Sequence, residues 1–173
     1  LVCSDGLWNY ASEPALLAEQ LRAASEAAAE PGGVASGLVK WANGRGGNDQ
    51  IYGDEGNDTL FGNDGNDYIA GGIGDDKLYG GPGADQLVGD AGYDVATYED
   101  MTVGVRIDLF APGNNTGDAL GDTYTGIEAI AGTSFNDVMR GDFGSNTLIG
   151  LGGDDFMVGR DGNDWLYGGD GSD

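Results

Sequence analysis

Asp49, Asp58, Asp67, Asp76, Asp85 and Asp94 recur every nine residues, each followed two places later by Ile51, Leu60, Ile69, Leu78, Leu87 or Ala96 and preceded by a glycine-rich stretch. A short fixed period restricts the fold to one small unit stacked on copies of itself. A carboxylate at the same place in every copy then makes columns of like charge, and such columns call for cations.

The unit reads Gly-Gly-x-Gly-x-Asp-x-apolar-x, most fully in residues 71–79 and 80–88. Its glycines accept positive φ and close backbone approach, which leaves turn carbonyl oxygens available to a ligand. The apolar residue is placed for the centre of a three-residue strand, pointing inward while its neighbours face outward. Two units make one coil.

These residues resemble the calcium-binding nonapeptide repeats of RTX proteins, the parallel β-roll of hemolysin-type toxins and of secreted proteases and lipases. The resemblance covers most of the chain after Arg45. It implies a mainly β fold, a right-handed parallel β-roll (RTX solenoid) in two blocks, 46–97 and 132–173, joined by a β-rich spacer over 98–131 and preceded by a short α-helical segment within 1–45. It also implies calcium between consecutive turns, with Asp49, Asp67 and Asp85 lining one side and Asp58, Asp76 and Asp94 the other. The carbonyls of Gly53, Gly56, Gly62, Gly65, Gly71, Gly72, Gly74, Gly80, Gly81, Gly83, Gly159 and Gly162 would complete the sites.

A second block opens at Gly132, where Asp137, Asp155 and Asp164 recover the phase and Met139, Leu148, Met157 and Leu166 supply the inward places. Asn146 replaces the Asp of its repeat, leaving an amide oxygen without charge, so the calcium site shared with Asp164 is expected to bind more weakly. Phe135 and Gly153 also depart from the motif. The repeat that opens at Gly168 stops at Asp173, before its inward residue, so further repeats or a cap are expected beyond it.

Composition argues for an ion-dependent fold. The chain has 35 glycines, and 30 acidic against 7 basic residues give a net charge of -23. Glycine loses the most backbone entropy on folding and the carboxylates repel one another, so the repeats alone are expected to be disordered. Composition by itself would also suit a flexible acidic linker. A linker, however, has no reason to hold Ile, Leu or Met at one offset from Asp. EF-hands need a Glu at the twelfth loop position, and after Asp49 only Glu55, Glu99 and Glu128 occur.

Other chemistries are bounded by what the chain lacks. Without histidine there is no His-dependent triad, and one cysteine forms neither an internal disulfide nor a Cys-x-x-Cys pair. The glycines keep a nine-residue beat that needs no nucleotide to explain it. The charge disfavours nucleic acid and anionic lipid as partners, and no apolar run is long enough to span a membrane. Tyr52, Phe61, Tyr79 and Tyr167 hold the last place of their repeats and should face outward, where packing on one another is favoured over gripping a sugar or a partner. Only Thr59 and Thr147 follow the Asp position directly, so an ice-binding Thr ladder is absent.

Residues 95–131 break the period. Val103, Val105, Ile107 and Leu109 alternate with polar residues as in a half-buried strand, and Pro112 to Asn115 read as a turn. Asp118, Asp122 and Glu128 read as solvated turn residues rather than an ion site.

The start of the chain is of another kind. Ser12 and Pro14 open a helix with an apolar stripe at Leu17, Leu21, Ala24 and Ala28, which Pro31 ends; a second short helix is expected from about Val34 to Asn43, with Gly44 as its stop. Leu1 to Trp8 reads as a buried strand leading into a turn. Cys3-Ser4-Asp5-Gly6-Leu7-Trp8 and Gly46-Gly47-Asn48-Asp49 resemble the C-terminal end of PPM-type (type 2C) metal-dependent serine/threonine phosphatases, with Gln50 where that family has Asn. The resemblance implies Asp5 and Asp49 as ligands of a magnesium or manganese pair. The earlier strands and remaining ligands are missing, so no reaction is assigned to these residues. Asp49 reads better as the first Asp of the roll, and Asp5 as a turn residue.

The expected function is therefore a calcium-binding structural module. It folds on calcium and supports the secretion, folding or stability of a larger extracellular polypeptide. Its expected partners are calcium ions, the rest of that polypeptide and a type I secretion apparatus, since no signal peptide is visible and the family's export signal is C-terminal. Two alternatives stand beside it: a metal-dependent phosphatase fused to RTX repeats, and an adhesin or carbohydrate-binding repeat region.

Overall fold

A computed structural model of the chain describes residues 39–41 and 47–173. It is a parallel β-solenoid of short strands: β1 (Val39–Trp41), β2 (Gln50–Tyr52), β3 (Thr59–Phe61), β4 (Tyr68–Ile73), β5 (Lys77–Tyr79), β6 (Gln86–Ala91) and β7 (Val95–Thr97), then β8 (Arg106–Asp108), β9 (Thr123–Thr125), β10 (Ala129–Ala131), β11 (Val138–Arg140), β12 (Thr147–Ile149), β13 (Phe156–Val158) and β14 (Trp165–Tyr167). One wall is a sheet in the order β1-β3-β5-β7-β10-β12-β14, and the opposite wall is built from β2-β4-β6-β9 and β8-β11-β13. Strand alternates with turn because the glycines gather between strands or, in β4 and β6, in their last residues, where side chains would obstruct the close stacking of turns.

Pairing in register sets the core. Ile51, Ile69, Leu87 and Tyr124 stack in one column, and Leu60, Leu78, Ala96, Ile130, Leu148 and Leu166 in the facing one. In β2 and β3 the middle residue is buried between two more exposed ones, whereas at the end of the stack β14 is exposed throughout and Leu166, expected inward, is 48% exposed because no further coil covers it among the described residues. The interior is one apolar cluster running through both repeat blocks and the segment between them.

The spacer does not divide the solenoid. β7 pairs directly with β10 across it, and β6 pairs with β9. β8 precedes β9 in sequence but pairs with β11, so the chain sets it beyond β9 along the wall and then returns. Asn115 closes the junction: its Oδ1 accepts the Asp108 N–H at 2.8 Å, and its Nδ2 donates to the Asp122 carbonyl at 3.4 Å and to the Tyr124 hydroxyl at 3.2 Å. Tyr98, buried in the core, donates to Asp122 Oδ2 at 2.6 Å and lies 2.6 Å from the Tyr124 hydroxyl.

Several expectations are corrected. The helix expected over 34–43 gives way at Val39–Trp41 to β1, parallel to β3 in the register Val39 to Thr59. The physical reason is that β3 would otherwise present an unpaired edge, and backbone pairing outweighs local helix propensity. The strand read over 103–109 is confined to Arg106–Asp108: Val105, Ile107 and Leu109 are buried, but Val103 is 52% exposed. Tyr79 is buried, stacked on Phe61 at 4.4 Å between ring centroids, with its hydroxyl donating to Glu99. Tyr52 and Tyr167 remain exposed as expected, and Tyr52 packs on Tyr68 at 5.7 Å. The strand expected over Leu1 to Trp8 and the first helix lie outside the described residues.

Candidate functional site

Each turn between strands ends on the repeat Asp, and each such Asp is tied to the coil before it. Asp67 Oδ1 accepts the Asp49 N–H at 2.7 Å, Asp76 Oδ1 that of Asp58 at 2.7 Å, Asp85 Oδ1 that of Asp67 at 2.8 Å and Asp94 Oδ1 that of Asp76 at 2.9 Å. The second block repeats this, with Asp155 Oδ1 accepting from Asp137 at 2.8 Å and Asp164 Oδ1 from Asn146 at 2.9 Å. The two columns expected from the sequence are thus present, Asp49, Asp67 and Asp85 under one wall and Asp58, Asp76 and Asp94 under the other.

The other carboxylate oxygen is the chemical signal. Oδ2 of Asp67, Asp85, Asp94 and Asp155 is buried and has no hydrogen-bond partner. A buried carboxylate oxygen without a partner costs several kcal/mol unless a proton or cation neutralises it. Asp67 Oδ2 and the Gly80 carbonyl oxygen converge on the Cα of Gly62, and Asp155 Oδ2 and the Gly168 carbonyl oxygen converge on that of Gly150. A Cβ at Gly62 or Gly150 would collide with both oxygens. Glycine opens each unit because the space beside it belongs to oxygen.

The second place of the unit needs glycine's conformation more than glycine itself. Gly72 and Gly81 have φ of 107° and 95°, and Asp54, Asn63, Asp90, Leu151 and Arg160 adopt φ between 68° and 78° at the same place. Asp and Asn tolerate this region; Leu and Arg adopt it at a cost of about 1 kcal/mol or more. At the fourth place carbonyls stack coil upon coil, with Gly47 O against Gly65, Gly65 O against Gly83 and Gly56 O against Gly74.

Among the described residues no three His, Cys, Asp or Glu side chains gather at one point. A parallel stack delivers one carboxylate per turn, so main-chain carbonyls must supply the remaining donors. An all-oxygen set of carboxylates and carbonyls, without imidazole, suits a hard cation of flexible coordination, and calcium is the one that accepts six to eight such ligands.

Electrostatics agree. Burial pushes the Asp85 carboxyl up to about 7 and that of Asp94 up to about 6; the neighbouring carboxylates add to this while the N–H bonds from Asp67 and Asp76 oppose it. Asp67 and Asp155 are raised for the same leading reason. Asp108 goes the other way: burial raises it, but the Arg160 guanidinium at 2.7 Å, the Ala111 N–H and the charge of Arg140 hold it below the usual carboxylate range.

The spacer holds ladder positions that the nine-residue beat missed. Asp122 is fully buried and its Oδ1 accepts the Asp85 N–H at 2.8 Å, while Glu128 Oε2 accepts the Asp94 N–H at 2.9 Å. The reading of these two as solvated turn residues is therefore corrected, whereas Asp118 is half-buried outside the ladder. The offset of two was the available signal: Asp122 is followed by Tyr124 and Glu128 by Ile130, both inward. Asp164 is half-buried, and Asp5 lies outside the described residues.

A parallel solenoid whose turns aim carboxylate and carbonyl oxygens at one another defines a calcium-binding repeat protein. The family model of the RTX calcium-binding nonapeptide repeat matches residues 41–69, 61–96, 122–157, 131–166 and 149–173, more than half of the chain. The chain belongs to that family. No curated protein matches it. Among the described residues no helix is long and apolar enough to cross a membrane.

Proposed function

We infer that calcium binds between consecutive turns. The carboxylates are those of Asp49, Asp58, Asp67, Asp76, Asp85, Asp94, Asp155 and Asp164, and the other donors are turn carbonyls such as those of Gly53, Gly62, Gly71 and Gly80. The observation that carries this is the set of buried, unpartnered Oδ2 atoms of Asp67, Asp85, Asp94 and Asp155, three of them (Asp67, Asp94 and Asp155) facing a glycine carbonyl of the next coil. Asp49, Asp58, Asp76 and Asp164 enter by register. These residues hold and orient the ion; the ion supplies the positive charge that lets neighbouring coils stack.

The consequence is coupling of folding to calcium. With free calcium at ~1 mM and sites of ~0.1 mM, each ion contributes about 1.4 kcal/mol. The module is self-repelling where calcium is scarce and folds where calcium is millimolar, outside the cell. It serves a larger secreted polypeptide, remaining extended during export and stabilising the protein afterwards. The test is a circular-dichroism titration with calcium, with magnesium as control. β signal is expected to rise with calcium alone, and Asp67→Ala is expected to raise the midpoint while Asp118→Ala leaves it in place. An equal response to magnesium, or a protease-resistant fold in excess chelator, would overturn the reading.

A further inference from the structure

Two turns of the second block differ from the rest in a way their sequence does not announce. In turns 62–67, 80–85, 89–94 and 150–155 the second residue has positive φ (Asn63, Gly81, Asp90, Leu151) and the turn's carboxylate keeps an unpartnered oxygen. In turns 132–137 and 141–146 the second residues, Thr133 and Asp142, do not have positive φ. Their N–H groups turn inward instead. The Thr133 N–H donates to Asp137 Oδ2 at 2.6 Å, and the Asp142 N–H donates to Asn146 Oδ1 at 2.8 Å. Asp137 Oδ1 is filled as well, by the Val105 N–H at 2.8 Å and the Thr133 hydroxyl at 3.0 Å. The oxygen that elsewhere waits for a cation already has its partner.

A fixed cation stands beside them. The Gly141 carbonyl occupies the repeat position of Gly80, whose oxygen faces Asp67 Oδ2, but at Gly141 it accepts from Arg160 Nη1. Arg160 Nη2 donates to Asp108 Oδ2 at 2.7 Å, and the guanidinium lies 5.5 Å from the Phe110 ring centre. Of the chain's seven Lys and Arg residues, Arg140 and Arg160 fall on this block and Arg106 on the spacer strand β8 that pairs with it, with Arg140 opposite Asp108.

We propose that turns 132–137 and 141–146 take no calcium, because the Thr133 and Asp142 amides occupy the side-chain oxygens of Asp137 and Asn146 that an ion would need. The solenoid then has a calcium-independent waist between ion-dependent coils. In the regular repeats bound ions add to the N–H bonds between coils, whereas at the waist the Thr133 and Asp142 amides close each turn on itself and the Arg160 guanidinium links Gly141 to Asp108. A fully charged Asp at position 137 therefore does not mark a site, which the repeat motif alone would assign.

The proposal rests on calcium binding at the regular turns, and the experiment separates the two. Calcium bound at saturation is counted on the full chain by equilibrium dialysis with radioactive calcium, for the parent, Asp67→Asn and Asp137→Asn. Asp67→Asn is expected to bind at least one ion fewer, and Asp137→Asn as many as the parent. An equal loss from both variants overturns the calcium-free waist while leaving the regular sites standing. Full binding by Asp67→Asn overturns the regular assignment whatever Asp137→Asn does. Should Asp137→Asn fail to fold, the double variant Asp142→Gly, Asn146→Asp decides. It permits positive φ at 142 and restores the carboxylate, so it is expected to bind one ion more than the parent, and no gain refutes the role given to the Asp142 amide.

Discussion

Replacing Asp85 by Asn should change stability in opposite directions with and without calcium. The amide oxygen can still accept the Asp67 N–H, bonded at 2.8 Å, so the stacking bond survives while the charge is removed. Burial first, then the charges of Asp122 and Asp67, push the Asp85 carboxyl from 3.8 to about 7. That difference corresponds to a penalty of about 4 kcal/mol for holding the ionised group in place at pH 8. In chelator, Asp85→Asn should recover a large part of this and be the more stable protein. In calcium it loses a charged ligand, and the titration midpoint should rise about tenfold, or about 1.4 kcal/mol. The assay is urea unfolding followed by far-UV circular dichroism at pH 8, in chelator with a stabilising osmolyte and again in calcium. If Asp85→Asn is destabilised equally in both conditions, Asp85 is an ordinary structural hydrogen-bond acceptor and the reasoning fails.

Four further outcomes are expected. In chelator the parent should gain β signal on acidification: raised carboxyls contribute stability that is complete below 3.8 and lost as pH rises through about 6 for Asp94 and Asp122 and about 7 for Asp85, so a flat pH profile from 8 to 4 would contradict it. Gly62→Ala should abolish most calcium-induced folding, because its Cβ meets Asp67 Oδ2 and the Gly80 carbonyl, whereas Gly113→Ala, with nothing within 4 Å, should titrate like the parent. Leu78→Ala should cost about 2–5 kcal/mol in calcium by urea unfolding, since the side chain is fully buried in its column. Tyr98→Phe should cost about 1–3 kcal/mol by the same measurement, leaving Asp122 Oδ2 and the Tyr124 hydroxyl short of a buried partner.

Much of the fold was legible because the period carries two facts at once. The offset of two between Asp and its apolar neighbour is the pleat of a strand, and the glycines ahead of Asp are the room needed for stacked turns. Where the argument needed only that register, at Ile51, Leu60, Ile69, Leu78 and Leu87, structure and sequence agree residue by residue. It failed where the ladder stopped caring which side chain it used. A main-chain N–H donates equally well from Val105 as from Asp137, and the longer Glu128 reaches the Asp94 N–H as an Asp would. Motif reading therefore passed over Val105, Asp122 and Glu128.

From its residues alone, this chain was bound to stack nine-residue units with apolar centres inside and carboxylates at the turns, because period and pleat are local properties. Only the tertiary structure decided that the stack runs unbroken past the spacer, with β7 on β10 and Asn115 at the junction where β8 is set beyond β9. It also decided which carboxylates keep a buried oxygen unpartnered. That depends on whether the second residue of a turn bends its N–H inward, as at Thr133, or carries positive φ, as at Asn63. Such a choice is made by the coils above and below each turn, and no nine-residue window contains them.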